Sequence, residues 1–291
     1  MQSVLGFIGG SGFYDLPGLT DPEWRHVESP WGEPSDAILF AELDGLPVRF
    51  LPRHGRGHVH SPTDINYRAN IDALKRAGVT DLVSVSACGS LKDDLSPGMI
   101  VLVEQFIDRT FAREKSFFGK GCVAHVSMAH PVSPRLVERI AAAADAEGIR
   151  YHWGGTYITM EGPQFSSRAE SELYRSWGCD VIGMTNMPEA KLAREAEISY
   201  ASVAMVTDYD CWHPEHGNVD VQDILRVLAE NRDKGQRLLV RLARAFPRER
   251  EPCPVGSDRA LEHALMTAPD KRDPALLAKL DAVAGRVLSR G

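Results

Sequence analysis

The stretch "TDLVSVSACGS", residues 80–90, does most to decide the fold. Its β-branched and aliphatic residues predict a short buried strand, and the small residues at its end predict a turn. Just before it, residues 66–77 followed by Gly78 predict a helix with a glycine at its C-terminal end. A helix that leads into a buried strand is typical of α/β proteins with parallel strands.

The same alternation of strands and helices continues along most of the chain. Further strands are predicted over residues 3–9, 46–52, 98–108, 155–165, 180–185 and 199–210. Further helices are predicted over residues 133–148, 167–177, 187–197, 274–288 and within 219–245. We therefore expect a single-domain layered α/β fold with a central mixed, largely parallel sheet flanked by helices. Residues 1–247 are predicted to form this domain. Residues 248–291 are predicted to be a C-terminal extension with a terminal helix, packed on the domain or on a neighbouring subunit.

Composition excludes several classes of protein. The chain has 291 residues, of which 43% are hydrophobic and 25% charged, as is ordinary for soluble globular proteins. A formal net charge of -7 argues against nucleic acid or an anionic membrane as a partner. No signal peptide and no apolar run near the roughly 18 residues of a membrane span are apparent. The five scattered cysteines predict free thiols and a cytoplasmic location.

A glycine-rich turn, "GFIGGSGFYD" at residues 6–15, follows the first predicted strand. Such a turn is either an ordinary tight turn or a loop whose backbone N–H groups contact a phosphate. It matches neither the GxxxxGK[ST] pattern of NTPases nor the GxGxxG pattern of dinucleotide-binding proteins. These two classes are therefore disfavoured.

A basic loop, "RHGRGHVHSP" at residues 53–62, carries two arginines and three histidines within eight positions. A metal site is disfavoured, because no HExxH pattern, cysteine pair or nearby carboxylate accompanies the histidines. A solvated basic loop remains an alternative. An anion site is favoured, because arginine offers a planar fork of donors and histidine can add another.

Two carboxylates end a predicted strand in "AMVTDYDCW", residues 204–212. Asp208 and Asp210 occupy alternate positions, so their side chains can project to the same side. A solvated turn explains one aspartate but not both. An aspartic pair for hydrolysis is a further alternative, but it leaves the predicted anion site unexplained.

Together these stretches resemble the methylthioadenosine phosphorylase branch of the purine nucleoside phosphorylase family, over about residues 4–245. The resemblance rests on "GGSGFYD", "RHGRGH", "INYRANI", "ACGSL", "QFIDRT", "EGPQFSSRAE", "MTNMPEA" and "AREAEISYASVAMVTDYDCW". It implies a pentosyltransferase that cleaves S-methyl-5'-thioadenosine with phosphate, in methionine and purine salvage. It also implies no metal or organic cofactor, inorganic phosphate as co-substrate, and a homo-oligomer that is a trimer or a dimer of trimers.

The resemblance also assigns roles to individual residues. The implied phosphate ligands are Ser11, Arg53, His54, Ser86, Ala87 through its backbone, and Thr185. The implied contacts of the nucleoside are Met184 under the ribose with Glu161 and Gln164 nearby, Phe165 and Ser166 in the base pocket, Asp208, Tyr209 and Asp210 at the purine, and Val221 with the neighbouring subunit's His125 at the 5′ end. The implied catalytic residues are Asp208, Asp210 and His54.

The implied chemistry places a proton on the leaving base. Phosphate stabilises the positive charge that develops on the sugar and then attacks it, while Asp208 shares or delivers a proton at N7. This requires burial beside Asp210 to raise the pKa of Asp208. Family members that cleave 6-oxopurines typically carry Asn at this position, so an adenine nucleoside is expected. Gly183 departs from the Asn common in the family, so we expect a changed hydrogen bond in the pocket wall.

Two other functions stay open from the sequence. One is a broader purine nucleoside or methylthioinosine phosphorylase, against which the Asp208 and Asp210 pair argues. The other is a non-catalytic nucleoside-binding protein, against which a proton-carrying pair beside an anion site argues.

Overall fold

The computed structural model describes residues 1–10, 13, 15–214 and 221–289. Their strands are β1 (Leu5–Gly9), β2 (Leu19–Arg25), β3 (Ile38–Leu43), β4 (Leu46–Pro52), β5 (Asp81–Ser90), β6 (Ile100–Leu102), β7 (Gln105–Asp108), β8 (Tyr151–Trp153), β9 (Thr156–Thr159), β10 (Val181–Gly183) and β11 (Ser199–Asp208). Their α-helices are α1 (Tyr67–Arg76), α2 (Pro134–Ala146), α3 (Arg168–Ser176), α4 (Asn186–Glu195), α5 (Val221–Ala245), α6 (Pro274–Lys279) and α7 (Asp281–Leu288).

All these strands belong to one sheet with β5 at its centre. The main order is β2-β3-β4-β1-β5-β10-β9-β7, and a branch continues from β5 through β11 and β6 to β8. Six of the ten strand pairings in the described ranges are parallel. The predicted mixed, largely parallel sheet is confirmed.

Local sequence explains the central elements. The aliphatic residues Leu82, Val83 and Val85 of β5 are almost fully buried, as a strand covered on both faces requires. Helix α1 begins where the Asn66 side chain accepts a hydrogen bond from the amide of Ala69. Helix α3 begins with a reciprocal pair of hydrogen bonds between Ser167 and Glu170.

Three predicted elements were wrong in extent. Residues 98–108 form two strands, because β6 pairs with β11 and β8 whereas β7 pairs with β9. The strand predicted over 155–165 ends at Thr159, and the helix predicted over 274–288 divides at Leu280. Strands β2, β3 and β8 were not predicted. β2 is mostly exposed and polar and lies at the edge of the sheet, so its residues carry little hydrophobic signal.

The residues that follow α5 pack against earlier elements of the same chain. Arg76 of α1 pairs with Asp281, and Arg286 of α7 pairs with Glu197 at 2.7 Å. Leu280 and Val283 are buried in the main hydrophobic core. No described helix is both long enough and apolar enough to span a bilayer.

Candidate active site

The two predicted carboxylates lie side by side at the end of β11. The register of β11 against β5 shifts between Val206 and Asp208, which sets Asp208 opposite Gly89. Such irregularities commonly re-aim a side chain near a functional site. Asp210 has φ 51°, a left-handed conformation that is uncommon outside glycine. Its amide donates a 2.8 Å hydrogen bond to Oδ1 of Asp208.

Gly89 makes room for this pair. A Cβ atom at position 89 would lie 2.9 Å from Oδ1 of Asp208 and 3.3 Å from Cβ of Asp210. Contacts under 3 Å are not tolerated by a rigid neighbour, so a side chain here would displace the carboxylate. The small residue at the end of β5 is thus a steric requirement of the site.

Burial changes the protonation of both carboxylates. It raises the pKa of Asp208, although Thr207 donates to Oδ2 of Asp208 at 2.7 Å and favours the charged form. Burial raises the pKa of Asp210 to about 6, with the nearby Ser171 hydroxyl opposing the rise and the nearby Asp208 charge adding to it. Oδ2 of Asp210 is buried with no hydrogen-bond partner among the described residues. The pair can therefore hold a proton near neutral pH, as a coupled unit.

Other predicted base-pocket residues lie around this pair. The Cys211 thiol donates to the backbone oxygen of Ser166 at 3.3 Å, which ties the segment of Phe165 and Ser166 to the carboxylates. The Tyr209 side chain instead packs in a buried cluster, edge-on to Trp212 at 6.0 Å. Any purine contact by Tyr209 is therefore left to its backbone.

The predicted ribose side is built around Met184. A Cβ atom at Gly162 would lie 2.6 Å from the Met184 sulfur, so this side chain lies directly on the loop after β9. Glu161 of that loop accepts from Thr63 at 2.6 Å and from Arg113 at 3.0 Å. Burial opposes ionisation, but these bonds and two backbone amides lower the pKa of Glu161 to about 2. Glu161 is thus a fixed carboxylate, and the exposed Gln164 lies beyond it.

Arg113 is a residue that sequence reasoning missed. Its buried guanidinium donates to Glu161, to the Tyr67 hydroxyl at 2.9 Å, and to the backbone oxygens of Met184 at 2.6 Å and Met187 at 2.8 Å. It therefore joins the ribose-side loop to the start of α4. No periodic pattern in the sequence marks it, because its partners come from distant segments.

Three of the predicted phosphate residues, Ser86, Ala87 and Thr185, lie within β5 and just after β10. Gly183 and Ala87 lie close together, since a Cβ atom at 183 would be 3.4 Å from the Ala87 oxygen. The Ser86 hydroxyl is buried and has no hydrogen-bond partner in the described part of the chain. Thr185 is buried just before α4, where the extended backbone of Met187 (φ -119°, ψ 134°) interrupts the first turn of the helix.

His54 adjoins this region as a neutral ring. Its Nδ1 lies 2.9 Å from the backbone oxygen of His60, and a carbonyl can only accept, so Nδ1 carries the hydrogen. The ring stacks on His58 with centroids 4.2 Å apart. Burial lowers the pKa of His54 to about 4, so at neutral pH Nε2 is an acceptor. The donor role that we expected requires His54 to be protonated.

The described residues contain no group of three or more His, Cys, Asp or Glu side chains that could hold a metal ion.

The guanidinium of Arg53 faces the protein rather than an open site. It is 2% exposed and forms a fork with the two Glu189 oxygens, at 2.8 Å and 3.1 Å. Nη1 donates to the backbone oxygen of Val85, and Nη2, which also takes part in the fork, donates to the backbone oxygen of Ile8 and to Ser84. The fork that we expected to be free for phosphate is therefore occupied by Glu189, and a phosphate contact by Arg53 stays a prediction.

For three predicted residues a role in the site stays a prediction. Ser11 lies outside the described residues. Val221 begins α5 and is 57% exposed. His125 is exposed, its amide donates to the Ala264 oxygen, and no hydrogen bond, ion pair or ring contact in the described ranges joins it to the carboxylate pair.

Comparison with known proteins gives consistent matches. Residues 4–244 match the family model of the phosphorylase superfamily. The chain is 68% identical to S-methyl-5'-thioadenosine phosphorylase of Bradyrhizobium diazoefficiens, over 99% of both chains. It is 67% identical to the protein of that name from Cereibacter sphaeroides, again over 99% of both.

Solved structures show the same likeness. A methylthioadenosine phosphorylase from an antarctic soil metagenomic library has a TM-score of 0.91 and 44% identity, covering 97% of this chain and 99% of that one. A point mutant of an adenosine/methylthioadenosine phosphorylase from Schistosoma mansoni, in complex with methylthioadenosine, has a TM-score of 0.79 and 36% identity. That match covers 84% of this chain and 93% of the other.

Proposed function

This chain belongs to the phosphorylase superfamily, and we infer from its site that it catalyses the phosphorolysis of S-methyl-5'-thioadenosine. The C1′–N9 bond breaks, a phosphate oxygen bonds to C1′, and the products are adenine and S-methyl-5-thio-α-D-ribose 1-phosphate. The observation that carries the inference is the buried Asp208 and Asp210 pair beside the ends of β5 and β10. A proton-holding pair on the strand that adjoins β5, whose Ser86 hydroxyl is buried with no partner among the described residues, suits a reaction of a purine base with phosphate.

In this proposal the carboxylates act on the purine. A protonated carboxyl donates at N7 and neutralises the leaving base, while an ionised carboxylate accepts from the 6-amino group. One shared proton on the pair serves both contacts, which the raised pKa of each group supports. General acid catalysis of this kind contributes roughly 10²- to 10⁴-fold in rate.

Phosphate binds on the other side of the sugar. We assign it to the Ser86 hydroxyl, the Ala87 backbone, Thr185 at the start of α4 and the loop of Ser11, with His54 adjoining. Arg53 acts indirectly, because its ion pair neutralises Glu189 in the first turn of the same helix. Without that pairing, a buried carboxylate would repel the phosphate. No metal or organic cofactor takes part in this scheme.

We also propose that the active protein is a homotrimer or a dimer of trimers. Val221 and the neighbouring subunit's His125 would then close the 5′ end of the nucleoside pocket. The exposed apolar side chains of Val59, Phe111 and Met266, of which Phe111 is 83% exposed, are consistent with contacts between subunits. Sedimentation at assay concentration tests this, and a fully active monomer would refute it.

A cytoplasmic role in methionine and purine salvage completes the proposal. Both products feed such routes, one as a purine and the other as a methylthio sugar. The five cysteines are all free and four are buried, which suits a reducing compartment.

Release of the free purine base, adenine or hypoxanthine according to the substrate, tests the proposed function directly. Purified protein is assayed with phosphate and methylthioadenosine, adenosine, inosine or methylthioinosine in parallel, and methylthioadenosine is expected to give the highest kcat/KM. Higher values for the inosine-type substrates would favour a broader or methylthioinosine phosphorylase. Binding of methylthioadenosine and phosphate without release of adenine would favour a non-catalytic binding protein.

A further inference from the structure

Tyr157 and Gly183 form a matched pair in the wall of the predicted phosphate site. The Tyr157 side chain is fully buried, and its ring lies edge-on to Phe106 at 5.9 Å. Its hydroxyl reaches β10, where a Cβ atom at Gly183 would lie only 1.8 Å from Oη. Any side chain at 183 would therefore overlap the hydroxyl, and the family's usual Asn is excluded as long as Tyr157 keeps this position.

The hydroxyl that takes this space is unsatisfied. Oη of Tyr157 and Oγ of Ser86 are both buried, and neither has a hydrogen-bond partner among the described residues. Such groups are rare in native proteins and point to a missing partner. The ring is held by the apolar cluster around Val181 and Val206, so the hydroxyl cannot turn away to water.

The two hydroxyls belong to the same wall, because a Cβ atom at Gly183 would lie 1.8 Å from Oη of Tyr157 and 3.4 Å from the backbone oxygen of Ala87, the residue after Ser86. Burial raises the pKa of Tyr157 well above its usual value, while the nearby Ser86 hydroxyl acts in the opposite direction. The phenol therefore stays protonated at neutral pH and can act as a donor.

We propose that Tyr157 is a positioning residue for the co-substrate phosphate: it donates to Oγ of Ser86, and Ser86 donates its one proton to a phosphate oxygen. This rests on the proposed function, which makes phosphate a substrate. Unprotonated phosphate oxygens only accept, so Ser86 must donate to them and its lone pairs are left for the phenol. Hydrogen bonds in such a chain strengthen one another. Gly183 contributes by leaving space for the phenol.

The test is Tyr157→Phe in the full chain, with kinetics in inorganic phosphate and in methylthioadenosine. We expect the KM for phosphate to rise roughly 3- to 10-fold, the equivalent of one hydrogen bond, with little change in the KM for methylthioadenosine. The unliganded variant should unfold at the same temperature as wild type or higher, because the lost hydroxyl has no partner there. Tyr151→Phe on the remote strand β8 is the matched control.

Ser86→Ala removes the link between the phenol and phosphate. In that background Tyr157→Phe should produce no further rise in the KM for phosphate. An unchanged KM for phosphate in Tyr157→Phe would overturn the inference. So would equal rises in both KM values together with a lower unfolding temperature, which indicate a structural role.

Calorimetric titration with inorganic phosphate alone separates this inference from the proposed function. If wild type releases no adenine but binds phosphate more tightly than Tyr157→Phe does, the proposed function fails and the positioning role stands. If the two proteins bind phosphate equally, the positioning role fails whatever the activity.

Discussion

The amide of Asp210 donates a 2.8 Å hydrogen bond to Oδ1 of Asp208, while Thr207 donates to Oδ2 at 2.7 Å. Both oxygens of Asp208 therefore accept hydrogen bonds before any substrate arrives, whereas Asp210 keeps a buried oxygen with no partner in the described ranges. The proton of the coupled pair is consequently favoured on Asp210. Delivery at N7 by Asp208, as the resemblance implies, requires the proton to pass within the pair when a purine binds.

Asp208→Asn removes an ionisable group from this pair with little change of shape. An amide can donate to N7 but cannot transfer a proton, so turnover of methylthioadenosine should fall by at least about 100-fold. Activity on inosine relative to methylthioadenosine should rise, because the amide oxygen and N–H suit a 6-oxopurine. The measurement is kcat and kcat/KM on both substrates, with exposed Asp233→Asn as control. A near-normal rate on methylthioadenosine would show that Asp208 is not the proton donor.

The raised pKa of Asp210 predicts a pH-dependent stability. Folding raises this pKa to about 6, so the folded state favours the protonated form. The contribution of protonated Asp210 to the free energy of unfolding is complete below the pKa of the unfolded chain, which is near 4. It is lost as the pH rises through about 6. Asp210→Asn should therefore gain stability relative to wild type between pH 4 and pH 8, on the order of 2 kcal/mol. Urea unfolding at pH 4, 6 and 8 measures it. A difference in free energy of unfolding that is the same at all three values would contradict the prediction.

Gly89→Ala tests whether space beside Asp208 is needed for catalysis. The added Cβ would lie 2.9 Å from Oδ1 of Asp208, so the carboxylate must shift away from its present position. Misplacement of a catalytic group by about 1 Å can cost about 100-fold, and we expect a loss of that order in kcat/KM for methylthioadenosine. Gly119→Ala is the matched control, because a Cβ there would meet nothing within 4 Å. Equal activity of the two variants would show that the pair tolerates the shift.

Much of the fold could be predicted because its signals are local. Runs of neighbouring residues determine the buried strand β5 and helix α1, and the bounds of both were predicted to within a residue or two. The break within residues 98–108 could not be predicted, because it depends on which strands pair with its two halves. The amides of Val103 and Glu104 donate to Ser202 and Gly155, which are far away in the sequence.

In the candidate site, too, local features could be predicted and features that depend on distant residues could not. Short motifs identified the residues, such as the carboxylates after β11 and the small residues after β5. They did not reveal orientation, because the direction of the Arg53 guanidinium is set by Glu189, which lies 136 residues further along the chain. Arg113 was missed for the same reason, since its importance lies only in the segments that it joins.

The buried pair of Arg53 and Glu189 leads to the last prediction. Both side chains are at most 2% exposed, and the Tyr200 hydroxyl also donates to Glu189 at 2.9 Å. Arg53→Ala leaves a buried carboxylate without its counter-ion, so the free energy of unfolding should fall by about 3–5 kcal/mol. Adding Glu189→Gln removes the unpaired charge and should restore part of the loss. Exposed Arg168→Ala, which breaks the surface pair with Glu172, should change stability by less than about 1 kcal/mol.

The double variant also shows how Arg53 affects the KM for phosphate. If the arginine acts only by neutralising Glu189, then Arg53→Ala raises the KM for phosphate and the added Glu189→Gln brings it back toward the wild-type value. If the guanidinium contacts phosphate itself, the KM stays high in the double variant although stability recovers. We expect the first result, because each of the three guanidinium nitrogens already donates to the protein. Unchanged stability in Arg53→Ala would contradict the ion-pair argument from which this prediction follows.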